Sequence, residues 1–179
     1  MEVIKTNIED VLLIKPDIFG DERGYFVETW QERRYKEVGI NFPFVQDNHS
    51  KSTKGILRGL HYQKEHPQGK LVMVSLGEVF DVAVDIRPKS PTFGQWYGAY
   101  LSDKNQYQLW IPPGLAHGFL VLSEVAHFHY KCTDFYYPMD EANIRWNDKD
   151  LAIEWPKLDF ITLSPKDERA PAFKDLFSI

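Results

Sequence analysis

"KLVMVSLGEVFDVAVDIR", residues 70–87, decides the fold class. It reads as two strands joined at Leu76-Gly77-Glu78. In the second strand Phe80, Val82, Val84 and Ile86 share one face, and Asp81, Ala83 and Asp85 share the other, the period of two that a strand imposes. Two carboxylates on one strand face read as polar groups in or behind a cavity, with no assigned role. "QWYGAYLS", "QYQLWIPP", "HGFLVLS" and "VAHFHYKCTDFYY" are further short, aromatic-rich strand candidates. Turn residues separate them at Pro88–Pro91, Asp103–Asn105 and Pro112–Gly114. Short strands at this spacing predict a sandwich or barrel. One helix is expected at about residues 30–38, with Thr29 and Glu32 spaced as a capping box and Gly39 as its stop. "PAFKDLF" predicts a short final helix. The expectation is one all-β domain over residues 1–179, an antiparallel double-sheet jelly roll with small peripheral helices.

The chain has 179 residues, 43% of them hydrophobic and 15% aromatic, enough for an ordered core without disulfides. Its single cysteine, Cys132, has no internal partner and points to a reducing, cytoplasmic location. The first residues, "MEVIKTNIEDVLLIKPD", lack the basic segment and long apolar run of a signal peptide, and no stretch approaches the roughly 20 apolar residues of a membrane span. A net charge of −5 disfavours nucleic-acid binding. An anionic small molecule remains compatible, because a few basic residues can line a pocket in an acidic protein.

"GILRGLHYQ", residues 55–63, breaks the strand rule. Arg58 and His61 are three apart and should face opposite ways. Gly59 between them is a candidate bulge that would turn both toward one cavity. Gly55 and His61 fit G-x5-H, and Pro112, Gly114 and His117 in "PPGLAH" fit P-x-G-x-x-H. Together these resemble the two motifs of the cupin superfamily, which implies a double-stranded antiparallel β-helix. Metal-binding cupins continue the first motif as H-x-H with a glutamate shortly after. Here Gln63 replaces the second histidine, and Pro67 and Gln68 stand where the glutamate is expected. Two ligands, His61 and His117, fall short of the three a catalytic metal generally needs, so no metal is expected. Two histidines facing a metal-free cavity suit proton transfer instead. His127 and His129 share a strand face, with Tyr130 on the other, and read as an outward, solvated pair.

The longer motifs are more specific. "FGDERGYFVETW", "GILRGLHYQ", "QGKLVMVSLGEVFDVAVDIR", "SPTFGQW", "QLWIPPGLAHGFLVLSE", "HYKCTDFYYP", and "IRWND" followed by "LSPKD" resemble the dTDP-4-dehydrorhamnose 3,5-epimerase family. The similarity runs from about Val11 to about Pro171. It implies a jelly-roll homodimer without cofactor, acting on dTDP-4-keto-6-deoxy-D-glucose in dTDP-L-rhamnose synthesis. By the same resemblance His61 matches the catalytic base, Asp167 its paired carboxylate, Tyr130 the general acid and Lys70 a lysine beside the reacting sugar. Arg58 and His117 match residues lining that cavity, and Tyr136 matches the aromatic that stacks on thymine. Arg23, Glu28, Gln46, Asn48, Glu141 and Lys166 match nucleotide and diphosphate contacts, with the Arg23–Glu28 segment reaching the partner subunit's site.

The implied chemistry suits these residue types. A C4 ketone acidifies the C3 and C5 protons, and inversion needs a base on one face and an acid on the other. Histidine titrates near working pH, and a buried aspartate would fix its tautomer. A lysine can meet charge developing on O4. Two rival readings are a related 3- or 5-epimerase or 3,4-ketoisomerase, and a non-catalytic sugar-binding cupin. Tyr130 favours the double epimerase, and a complete base–acid pair argues against simple binding.

Overall fold

The computed structural model describes residues 1–177. In chain order the elements are β1 (Glu2–Lys5), β2 (Leu12–Lys15), β3 (Ile18–Asp21), β4 (Gly24–Val27), α1 (Glu32–Glu37), β5 (Gln46–Thr53), β6 (Leu57–Gln63) and β7 (Lys70–Leu76). They continue with β8 (Glu78–Asp85), β9 (Trp96–Ser102), β10 (Gln108–Ile111), β11 (Leu115–Val121), β12 (Val125–Cys132), β13 (Glu141–Asn143), α2 (Pro165–Glu168) and α3 (Phe173–Leu176). One sheet runs β1-β2-β10-β7-β12-β5 and the other β13-β6-β11-β8-β9, while β3 and β4 form a separate hairpin. All pairings between these strands are antiparallel, as the jelly-roll reading requires.

The two faces of β8 show how the layers stack. Val79 and Ala83 join Val72, Val74, Leu109, Phe119 and Phe128 in the core between the sheets. Phe80, Val82 and Val84 point the other way and pack with Ile144, Leu151 and Phe173 of the C-terminal segment. The more apolar face of this strand is therefore its outer one, sealed by the chain's end. The interior face carries Asp81, which is fully buried. On the first sheet, Leu12, Ile14, Leu71 and Trp110 form a third cluster with Tyr35 and Ile40, under α1.

The helix at 30–38 starts later than its capping box predicts. The N-cap is Gln31, whose side chain accepts from the Arg34 amide at 2.8 Å. Thr29 lies outside the helix because the sheet holds it: its carbonyl accepts from the Tyr35 hydroxyl (3.2 Å) and from Gln108 Nε2 (2.8 Å). The stop is as expected. Gly39, at φ +101°, donates to the Lys36 carbonyl and Ile40 to that of Tyr35, a Schellman closure with Ile40 and Tyr35 in one apolar cluster. The short helix in "PAFKDLF" is α3.

Candidate active site

The bulge at Gly59 builds the site. His61 pairs with His117, and Arg58 with Phe119, so β6 places two residues, Gly59 and Leu60, opposite Gly118 alone on β11. Glycine is required on both strands. Gly59 sits at φ +143°, a Cβ there would lie 2.5 Å from Gly118 Cα, and a Cβ on Gly118 would lie 2.8 Å from the Arg58 carbonyl. Arg58 and His61 consequently line the same cavity, of about 390 Å³, between the sheets.

Gln46, Asn48, Lys70, His117, Tyr130, Tyr136, Glu141 and Lys166 line it as well. His61 Nε2 lies 2.6 Å from Asp167 Oδ1. Asp167 is buried in α2, behind the cavity wall. Burial opposes its ionisation, but hydrogen bonding and attraction from His61, with help from Ser164 and Lys166, hold it below the ordinary carboxylate range. A second pair lies beside the first: His117 Nε2 is 2.8 Å from Asp81 Oδ2, both buried. Burial lowers the pKa of His117, against the pull of Asp81 and with repulsion from Lys70 and His61. Asp81 Oδ1 has no hydrogen-bond partner. Lys70 is lowered by burial, while Cys132, Asp81 and Glu141 favour its charge. At the rim, Glu141 accepts from Lys166 Nζ (2.8 Å) and from the Tyr136 hydroxyl (3.1 Å). Arg58 Nε donates to Ser52 Oγ at 3.1 Å.

Arg23 and Glu28 are the two candidates away from this cavity. Arg23, at the tip of the β3–β4 hairpin, pairs with Asp21, and Glu28 pairs with Arg34 at 3.0 Å. The roles of Asp81 and Ser52 had no sequence signal beyond the shared face of Asp81 and Asp85, because β8–β11 pairing brings Asp81 to His117 and the facing of the two sheets brings Ser52 to Arg58. Asp85 lies outside the site and closes the loop after β8 through Arg87, Ser90 and Thr92.

His127 and His129 are half-buried rather than freely solvated. His49 of β5 stacks on His129 at 4.3 Å and shares a 3.0 Å hydrogen bond with His127. Among the described residues no three histidine, cysteine or carboxylate side chains converge to hold a metal. The position of the second cupin histidine does not fit one either. The Gln63 amide there donates to the His66 and Phe135 carbonyls and accepts from the Tyr137 amide.

Fold and site together define a cupin-like jelly-roll enzyme with an acid–base cavity between its sheets. A family model described as dTDP-4-dehydrorhamnose 3,5-epimerase matches residues 5–175, and the chain belongs to that family. A dTDP-4-dehydrorhamnose 3,5-epimerase of Salmonella typhimurium is 57% identical over 173 residues, 96% of this chain and 94% of the relative. A dTDP-6-deoxy-D-glucose-3,5-epimerase from Legionella pneumophila, solved in complex with dTDP-4-keto-L-rhamnose, superposes with a TM-score of 0.94 at 57% identity, covering 96% of this chain and 92% of that one. A 3'-monoepimerase from Streptomyces bikiniensis in complex with dTDP-quinovose has a TM-score of 0.88 at 34% identity, covering 93% and 85%.

Proposed function

We propose that the chain inverts C3 and C5 of dTDP-4-keto-6-deoxy-D-glucose, giving dTDP-4-keto-L-rhamnose, with His61 as base and Tyr130 as acid. The observation that carries this reading is their opposition. His61 stands on β6 and Tyr130 on β12, in the two facing sheets, and both line one cavity. A sugar ring between the sheets then meets a base on one face and an acid on the other, which inversion requires.

The surrounding groups suit these roles. Asp167 holds His61 through Nε2, which leaves Nδ1 to take the C3 and C5 protons in turn. A phenol is protonated at neutral pH, as an acid must be, and burial first, then Cys132, raise that of Tyr130 further above its ordinary value. Lys70 meets the charge that develops on O4. His117 holds the sugar beside it. Tyr136 is half exposed at the mouth and offers a face to thymine, with Arg58, Lys166, Gln46, Asn48 and Glu141 for the nucleotide and diphosphate.

The reading includes a homodimer. The β3–β4 hairpin exposes Ile18, Phe19, Tyr25 and Phe26, which suits a partner surface, and it carries Arg23 away from its own cavity. Glu28 follows directly after. It also includes a cytoplasmic location, where Cys132 stays a free thiol, and catalysis without a cofactor.

The test is incubation with dTDP-4-keto-6-deoxy-D-glucose in D2O. Deuterium should enter at C3 and C5 and the L-rhamno product should form, and folded His61→Asn should do neither. Exchange at one carbon only would replace this reading with that of a monoepimerase. Activity should also survive exhaustive chelation, and loss restored by a divalent metal would overturn the cofactor-free mechanism.

A further inference from the structure

We propose that Gln63, aided by Asp140, positions the loop that presents Tyr136, and so sets how tightly the thymine nucleotide binds. This rests on the reading of Tyr136 as the thymine shelf.

Tyr136 lies in the irregular segment between β12 and β13 and is 49% exposed. An exposed aromatic on an irregular loop binds a base well only if the loop is ordered beforehand, because otherwise binding must carry the ordering cost. Gln46 Oε1 accepts from the Tyr136 amide at 3.0 Å, Gln68 Nε2 donates to the Asp134 carbonyl at 2.8 Å, and Gln63 fixes the residues on either side of Tyr136. Gln63 ends β6, two residues after His61, and is 6% exposed. Its Nε2 donates to the Phe135 carbonyl at 3.1 Å and to the His66 carbonyl at 2.7 Å. Its Oε1 accepts from the Tyr137 amide at 2.8 Å. The two residues flanking Tyr136 are therefore held by one buried side chain.

Asp140 ties the same segment to the 64–66 turn from the rim. Its carboxylate accepts from the amides of Lys64 (3.2 Å), Glu65 (3.0 Å) and His66 (2.8 Å). The His66 ring stacks on Tyr137 at 4.1 Å.

The chemistry selects an amide at position 63. The site needs two donors and an acceptor on one planar group, which glutamine supplies and a carboxylate of the same shape does not. Glutamate there would turn an oxygen toward two carbonyls. The residue that departs from the metal-cupin pattern thus has its own task, as a positioning residue for the base shelf.

Isothermal titration of dTDP and of inorganic pyrophosphate into full-length variants tests this, together with steady-state kinetics. Gln63→Glu should weaken dTDP about tenfold and raise KM alike, since two hydrogen bonds are lost, while kcat stays within about threefold. Pyrophosphate, which has no base, should bind as to the parent. In a Tyr136→Ala background, Gln63→Glu should weaken dTDP little further. Parallel loss of dTDP and pyrophosphate, additive effects in the double variant, or a fall in kcat at unchanged KM would overturn the inference. Should Gln63→Glu not fold, Asp140→Asn on the rim carries the test, with the same pattern at about threefold. Tyr136→Ala that keeps parental dTDP affinity would sink both the shelf reading and this inference. If Tyr136→Ala loses affinity but neither Gln63→Glu nor Asp140→Asn does, only the positioning role fails.

Discussion

In the proposed mechanism Tyr130 and His61 divide the chemistry through their surroundings. Burial raises the phenol above its ordinary value, and a buried carboxylate lies against the imidazole. Tyr130→Phe should separate the proposed steps. The ring still packs against Phe128, so folding should change by less than about 1 kcal/mol. With the base intact, solvent deuterium should still enter. The doubly inverted product should fall by about 10²-fold or more, with singly inverted or merely exchanged sugar in its place, as product analysis by NMR would report. Formation of the L-rhamno product at the parental rate would return Tyr130 to the part of a half-buried strand aromatic.

Two elements carry expectations of their own. The β6 bulge depends on a glycine in the left-handed region facing a second glycine. Gly59→Ala should therefore lose both activity and at least about 2 kcal/mol of stability in urea unfolding, whereas a bulge that tolerates a methyl would leave both unchanged. The loop after β8 depends on Asp85, whose carboxylate binds Arg87, Ser90 and Thr92 at 2.6–2.9 Å. Burial alone would raise its pKa, but these bonds bring it down from 3.8 to about 2. A depressed folded pKa stabilises the native state fully above the unfolded value. That contribution is lost as pH falls from about 3.8 through about 2. Asp85→Asn should thus be less stable than the parent by about 2 kcal/mol at pH 7, with the gap narrowing as unfolding is measured toward pH 2. A gap independent of pH would assign the loss to packing.

In the whole molecule, the hairpin that exposes Phe19 and Phe26 is the feature a lone chain leaves unexplained. If Arg23 serves the partner's site, subunits with different defects should complement. His61→Asn and Arg23→Ala homodimers should each be weak. Mixed by unfolding and refolding together, they should recover about one quarter of parental activity, because half the dimers are mixed and each has one intact site. No recovery, with mixed dimers verified by native mass spectrometry, would place Arg23 outside the partner's cavity.

Strand period, turn residues and a few long motifs were enough to determine the all-β class, the strands from β6 to β12, the bulge at Gly59 and the candidates His61, Lys70, His117 and Tyr130. These are local signals, written in neighbouring residues. Much of the N-terminal half was silent for a physical reason. β5, "QDNHSKST", turns Asn48, Ser50 and Ser52 partly inward against a polar cavity, so it lacks the apolar alternation that marks a strand. The helix cap moved from Thr29 to Gln31 because Gln108, far along the chain, claims the Thr29 carbonyl. Only the tertiary structure decided that the apolar face of β8 points outward under the C-terminal segment, leaving Asp81 to meet His117. Likewise it brought Asp167 across more than a hundred residues to His61 and turned Gln63 toward the Tyr136 loop. A periodicity states which side chains share a face. Which face is buried, and against what, depends on partners that distant parts of the chain supply.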